Sequence, residues 1–333
     1  MSLSNIQRRR WLSQGAATAL AVGLPGLGLS ATASAQSLWP TRPVRAVVPF
    51  PAGGTTDHVT RLVAQELTRA LGQPVVVENK PGAGTVIGVD AVAKAAPDGY
   101  SFVTVANSFA ANVTLVKKLP YDALKDLRPV ALMGMSEHVL ATHPGSGIRT
   151  LADVRAAAGK GTLSYASFGN GTSAHLSGAA LALQMGLPMV HVPYKGQAPA
   201  LNDLLGGQVT LMFGNWPEFR SHVQSGRLVA VGMATAKRSV YAPDITTLAE
   251  QGVPIESNSW NGLLAPAATP DAVVQRLNAE VNKALSSASV VDAFRQGGIA
   301  SLSGTPERFA AFIRSEIDKY AQVVRQANIS LDS

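Results

Sequence analysis

Gly53 and Gly54 are the residues on which the chemistry of this chain turns. They follow an apolar run, Val44 to Val48, through Pro49-Phe50-Pro51-Ala52, and lead into Thr55-Thr56-Asp57 and an amphipathic stretch. A buried strand that ends in a glycine pair and opens into a helix leaves unpaired backbone N–H groups around one small space. Fixed donors and the positive end of the helix dipole make such a space fit for a carboxylate or a phosphate. Two more segments share the design, Gly82-Ala83-Gly84-Thr85 and Ser167-Phe168-Gly169-Asn170-Gly171-Thr172-Ser173. Any one of them reads equally well as a tight turn needing permissive φ angles. Two such loops facing each other across a cleft would clamp one ligand from both sides.

The side chains near these loops each allow two readings. Asp57 falls in the first turn of a helix, where a carboxylate caps N–H groups, and a ligand contact is the alternative. Asn107 and Ser108 end a predicted strand, as donors to a bound carboxylate or as an ordinary turn. Lys195 follows another strand and could pair with an anion, although most lysines are simply solvated. Phe50, Trp216 and Trp260 are candidates for pocket walls or for core.

Enzyme motifs are missing. The chain has no G-x-S-x-G nucleophile elbow and no phosphate-binding P-loop, and Gly82, Gly84 and Gly88 miss the dinucleotide spacing because residue 87 is Ile. The six histidines show no metal-ligand spacing, so His175 reads as a helix or hinge residue. With no cysteine there is no disulfide, thiolate metal site or lipid anchor, and no cofactor is expected.

The elements that must position these groups alternate between strand and helix from Pro43 onward. Strands are expected at Val44–Val48, 74–78 and 101–106, with helices at 56–71 and 86–95. The pattern restarts after Tyr121, with strands at 127–135, 138–142, 163–166, 189–192 and 209–213. The last of these runs into Gly214-Asn215-Trp216-Pro217. Thr269-Pro270-Asp271 and Thr305-Pro306-Glu307 each combine a capping threonine with a first-turn proline and open two C-terminal helices, expected to pack on the first lobe. The fold class that follows is α/β: a two-lobe protein whose lobes are doubly wound, mainly parallel sheets with flanking helices. The expected division is 36–122 for the first part of lobe 1, 123–232 for lobe 2, and 233–333 for the second part of lobe 1.

Residues 1–35 read as a signal peptide. Arg8-Arg9-Arg10 precede Trp11-Leu12 and a mildly apolar stretch that ends at Ala33-Ser34-Ala35, giving a basic region, an apolar region and a cleavage site near Ala35. Arg8-Arg9 with Trp11-Leu12 also fits a twin-arginine signal. Pro25 and several glycines interrupt the stretch and count against a membrane anchor. A periplasmic location is therefore expected. Removing 35 of the 333 residues leaves 298, and with three arginines and no acid removed the balance of 28 basic and 21 acidic residues falls to +4. The basic residues are scattered, which disfavours nucleic acid as a partner and suits capture of small anions.

Several runs resemble the Bug-type extracytoplasmic solute receptors of tripartite tricarboxylate transporters. They are Trp39-Pro40, then Val48-Pro49-Phe50-Pro51-Ala52-Gly53-Gly54 with Asp57, Val77-Glu78-Asn79-Lys80-Pro81-Gly82-Ala83-Gly84, and Ala96-Pro97-Asp98-Gly99-Tyr100. His191-Val192-Pro193-Tyr194-Lys195-Gly196, Asp203 to Val209 and Trp260 to Pro266 continue the likeness across the mature chain. The resemblance implies a monomeric Venus-flytrap binding protein, not an enzyme, that delivers a small carboxylate to the transporter's membrane subunits. It also implies that a ligand carboxylate is held by backbone N–H groups and bridging water at Ala52–Asp57 (Ala52, Gly53, Gly54, Thr55, Thr56, Asp57) and Ser167–Thr172 (Ser167, Gly169, Asn170, Gly171, Thr172), with Thr85 and Ser108 beside them. Family members commonly carry an aspartate before the asparagine matching Asn215; here that position is Gly214. The expected ligand is accordingly a di- or tricarboxylate or an aromatic carboxylate without an amino group. A sensory receptor presenting its ligand to a membrane signalling partner and a secreted hydrolase are the alternatives.

Overall fold

A computed structural model describes residues 39–327 and 329, so the expected signal peptide, its twin-arginine pair and the cleavage site near Ala35 lie outside the described residues. The strands are β1 (Val44–Val48), β2 (Val75–Asn79), β3 (Ser101–Val105), β4 (Leu127–Thr142), β5 (Leu163–Ser167), β6 (Met189–Pro193), β7 (Leu211–Asn215), β8 (Val229–Met233), β9 (Asn258–Pro266) and β10 (Ile299–Ser301). The helices are α1 (Thr55–Leu71), α2 (Val86–Ala93), α3 (Asn107–Leu115), α4 (Leu151–Ala158), α5 (Ser173–Met185), α6 (Gln197–Leu205), α7 (Trp216–Gln224), α8 (Asp271–Ser286), α9 (Ala288–Gly297) and α10 (Pro306–Gln326).

The strands run in the order β2-β1-β3-β9-β4-β7-β5-β6, with β10 and β8 also paired to β4. Two parallel triplets, β2-β1-β3 and β7-β5-β6, form the hearts of the two lobes, and antiparallel strands join them. Alternation along the strands sends side chains to opposite faces, each covered by helices. In the first lobe Val44 and Phe102 meet α1 and α8, while Val47 and Val103 meet α2, α3 and α10. In the second lobe Leu140 packs with Val154 of α4 and Leu181 of α5, and Val139 and Ala141 pack with Leu204 of α6 and Phe219 of α7.

The lobes are joined through β4. Its Leu127–Glu137 portion pairs with β9, and His138–Thr142 pairs with β7, so the segments expected as two strands form one. The return crossing lies beside it, where Ala234 N donates to His138 O at 2.8 Å and Ser257 N donates to Ala234 O at 2.9 Å. Residues 127–136, expected in the second lobe, thus pair within the first sheet. Ala234, Leu248 and Ile255, expected in the first lobe, pack in the core of the second. No break in composition marks the first crossing, because a continuous strand needs no linker.

Three further differences have local causes. Asn107 and Ser108 open α3 rather than end a strand, since the backbone turns helical directly after Ala106. Trp216-Pro217, expected where a strand ends, starts α7, because proline suits a first helical turn. Thr305 caps α10 as expected, accepting from Arg308 N at 3.3 Å, whereas Thr269 does not cap α8: the cap position is Pro270 and Thr269 Oγ1 is buried without a partner. Both C-terminal helices pack on the first sheet, and α10 also touches α5.

Candidate functional site

Five helices begin at one cavity. The first residues of α1 and α3 from one lobe and of α5, α6 and α7 from the other line a compartment enclosing about 610 Å³ of empty space, its mouth included. In none of the five does the cap residue's own side chain bond the terminal N–H groups, although Thr55 N at the start of α1 donates to Glu218 across the cleft. Each such end carries about half a positive charge, so the compartment is positive without a cluster of basic side chains. An outer compartment adjoins it, lined by Pro81–Thr85, Gly169, Asn170, Pro193 and Tyr194. Phe50, Pro51, Phe168, Thr172, Lys195 and Gly196 form the wall shared by the two.

The first glycine-rich loop is shaped from behind by Asp57. Its carboxylate accepts from Gly53 N at 3.0 Å, Asn79 Nδ2 at 2.9 Å and Arg61 Nε at 3.0 Å. Burial pushes this carboxyl up, but those bonds outweigh it and hold it below the usual carboxylate range. With its oxygens used, Asp57 lines neither compartment and serves the loop as a back-reaching first-turn carboxylate. Ala52, Gly54, Thr55 and Thr56 face the inner compartment. Gly53 does not, but its φ of 90° is what permits the turn.

Across the cleft, Thr55 meets a residue that the sequence reading missed. Glu218, in the first turn of α7, accepts through Oε1 from Thr55 N at 2.8 Å and from Thr55 Oγ1 at 2.6 Å. Asn215 Nδ2 donates to Thr55 Oγ1 at 3.0 Å and to Gln197 Oε1 at 3.0 Å. The direction of the chain is fixed by Asn215 Oδ1, which must accept from His138 Nε2 at 2.9 Å, leaving His138 Nδ1 to accept from Ser257 Oγ at 2.8 Å. A polar line therefore runs from the lobe crossing at His138, through Asn215 and Thr55, to Glu218. Desolvation is the largest influence on the Glu218 carboxyl and pushes its pKa up, against the Thr55 bonds.

The facing loop is held by two stacked histidines. The His175 and His191 rings lie 3.8 Å apart; His175 Nδ1 accepts from Gly171 N at 3.2 Å, and His191 Nε2 meets Ser167 Oγ at 2.7 Å. Burial pushes both below the ordinary histidine value, to about 4 and about 3. They act as neutral struts for the loop, and Ser167, fully buried, is a strut rather than a contact. Thr172 lines both compartments, Gly169 and Asn170 line the outer one, and Gly171 lines neither. At Gly171 a Cβ would sit 3.0 Å from Asn112 Oδ1, so the glycine permits a close approach.

The third loop faces the second directly. Gly82, Ala83, Gly84 and Thr85 all have positive φ, including 45° at Ala83 and 82° at Thr85. Non-glycine residues rarely hold that conformation, and strain of this kind collects at ligand sites. Asn112 Nδ2 secures the turn by donating to Gly84 O at 2.8 Å, and Thr85 Oγ1 pairs with Ser108 Oγ at 3.1 Å. A Cβ on Gly84 would lie 3.2 Å from Asn170 O of the opposite loop. Thr85 lines the outer compartment, and Ser108 and Asn215 the inner one.

Gly214 does not face the cleft. A Cβ there would point at the Phe219 ring, 2.0 Å away, inside the second lobe's core. The absence of an aspartate at this position therefore opens no extra room for a ligand. Trp216 and Trp260 are core residues, while Phe50 is a true cleft wall. Glu218 and Gln197 carried no signal in the chain beyond a helix start, since their role arises only where the lobes meet.

Comparisons with known proteins give the chain a family. Residues 59–329 match the family model described as "Tripartite tricarboxylate transporter family receptor". The chain is 38% identical to protein BugT of Bordetella pertussis over 309 residues, 91% of this chain and 94% of BugT. A Rhodopseudomonas palustris protein solved with adipate is 34% identical with a TM-score of 0.83, covering 88% of this chain and 99% of that one. MatC from the same organism, solved with bound malate, is 32% identical with a TM-score of 0.80, covering 86% and 100%.

Proposed function

We propose, since the chain belongs to the tripartite tricarboxylate transporter family of receptors, that it captures a small carboxylate between its two lobes and delivers it to the membrane subunits of such a transporter. One observation carries this reading: five helix N-termini, drawn from both lobes and none capped by its own cap residue, open into a single compartment. An anion bridging them gains donors from both lobes at once, so it favours the closed arrangement by differential contacts, as capture by closure requires. The adipate and malate held by the two solved relatives belong to the same chemical class. The protein acts as a periplasmic monomer after cleavage near Ala35, binding its ligand without transforming it. The expectation of a ligand without an amino group loses its basis, because it rested on Gly214.

A thermal-shift screen of the mature protein against mono-, di- and tricarboxylates and aromatic carboxylates tests the class, with calorimetry on each hit. Gly54→Asp tests the placement. Gly54 has an ordinary φ of −88° and nothing within 4 Å of its Cβ position, so the variant folds, yet it sets a negative side chain among the donors. Binding should weaken at least a hundredfold. A folded Gly54→Asp protein with wild-type affinity would place the ligand elsewhere.

A further inference from the structure

Glu218 is a carboxylate inside a site built for carboxylates. Of the residues lining the inner compartment, only Lys195 and Glu218 carry charge, and they form no ion pair with each other. Glu218 Oε1 is committed to Thr55, whereas Oε2 is buried and accepts no hydrogen bond of normal geometry, with the Gln197 side chain, whose Nε2 is likewise left unpaired, lying beside the carboxyl. A buried acceptor left unpaired costs free energy that a ligand can recover by supplying a donor. The compartment thus holds two complementary features: open helix ends and Lys195 for an anion, and one unpaired acceptor.

We propose that Glu218 is a specificity-determining residue, selecting a carboxylate that also bears a hydrogen-bond donor, a hydroxyl or a protonated amine, placed to meet Oε2. The inference rests on the carboxylate-capture reading and narrows its ligand class. The N-termini of α1 and α7 both converge on this side chain and oppose the desolvation that raises its pKa. An unsubstituted carboxylate would bring a second negative charge beside an acceptor it cannot satisfy. A site built around a polar partner discriminates strongly against the analogue that lacks it.

The test compares succinate, glutarate, adipate and benzoate, each with its hydroxy and amino derivatives, by calorimetry on wild type and Glu218→Gln. The glutamine keeps an oxygen for Thr55 and replaces the unpaired acceptor with a donor. In wild type at least one substituted acid should bind about tenfold or more tighter than its parent. In the variant that ratio should fall to near one or reverse, with the parent acid still bound. An unchanged ratio in the variant overturns the inference. So does a wild-type preference for unsubstituted acids that strengthens on acidification and vanishes in Glu218→Gln, because Glu218 would then be the donor. If no acid in the series or in the wider carboxylate screen binds wild type, the capture reading itself fails. Thermal unfolding of both proteins separates any of these results from a loss of fold.

Discussion

At Gly214 the backbone passes so close to Phe219 that only hydrogen fits. Gly214→Ala should therefore lower stability in urea denaturation by about 1–3 kcal/mol through overpacking, while ligand affinity stays within about twofold. A stable variant with altered affinity would return this residue to the cleft. Glycines 53, 54, 82 and 84 were legible as loop residues because their meaning is local, a turn and the donors it frees. Glu218 was not legible: a glutamate three residues into a helix looks like any first-turn carboxylate until Thr55 arrives from the other lobe, 163 positions away in the chain. The structure also reassigns Ser167 and Asp57, which support the loops from behind rather than line the cleft.

Among the elements, α8 and α10 carry the same Thr-Pro-acid start, and the structure separates them. Thr305→Ala removes a working cap and should cost about 1 kcal/mol in chemical denaturation. Thr269→Val replaces a buried hydroxyl that has no partner, and should be neutral or mildly stabilising. Equal losses in the two variants would contradict this assignment. The same comparison explains why strand and helix identities read well from periodicity and caps less so: periodicity samples a whole element, whereas a cap depends on one rotamer. Three strands escaped the sequence reading, β8, β9 and β10, and the longest of them, β9, begins Asn258-Ser259-Trp260-Asn261-Gly262, too polar to announce a strand. It becomes one because β3 and β4 pair with it on both sides.

For the molecule as a whole, two buried histidines and a half-buried one set a pH limit. Burial pushes His138, His175 and His191 down from 6.5 to about 3, 4 and 3, so the folded protein keeps them neutral where the unfolded chain takes up protons. Their contribution to stability is complete above about pH 6.5 and is lost as the pH falls from there toward 4, with a slope of at most about 1.4 kcal/mol per pH unit for each. Glu218, whose pKa is raised, acts in the opposite sense, as one group against three. The melting temperature should accordingly fall between pH 6.5 and 4.5. A flat or rising profile would mean that the histidines are not held neutral. Because His138 sits at the lobe crossing and the stacked pair behind the second loop, both the crossing and that loop weaken in acid.

The amino-acid sequence by itself determined the alternation of strands and helices and the three glycine-rich loops with the donors they free. These follow from short-range rules: side-chain period, turn conformation and the orphan N–H groups of helix ends. Only the tertiary structure decided where the chain crosses between lobes, which loop residues face the cleft, and that a glutamate from one lobe rests on the glycine-rich turn of the other. Each of these depends on groups far apart in sequence meeting in space. No local pattern encodes such a meeting, since its free energy belongs to neither partner alone.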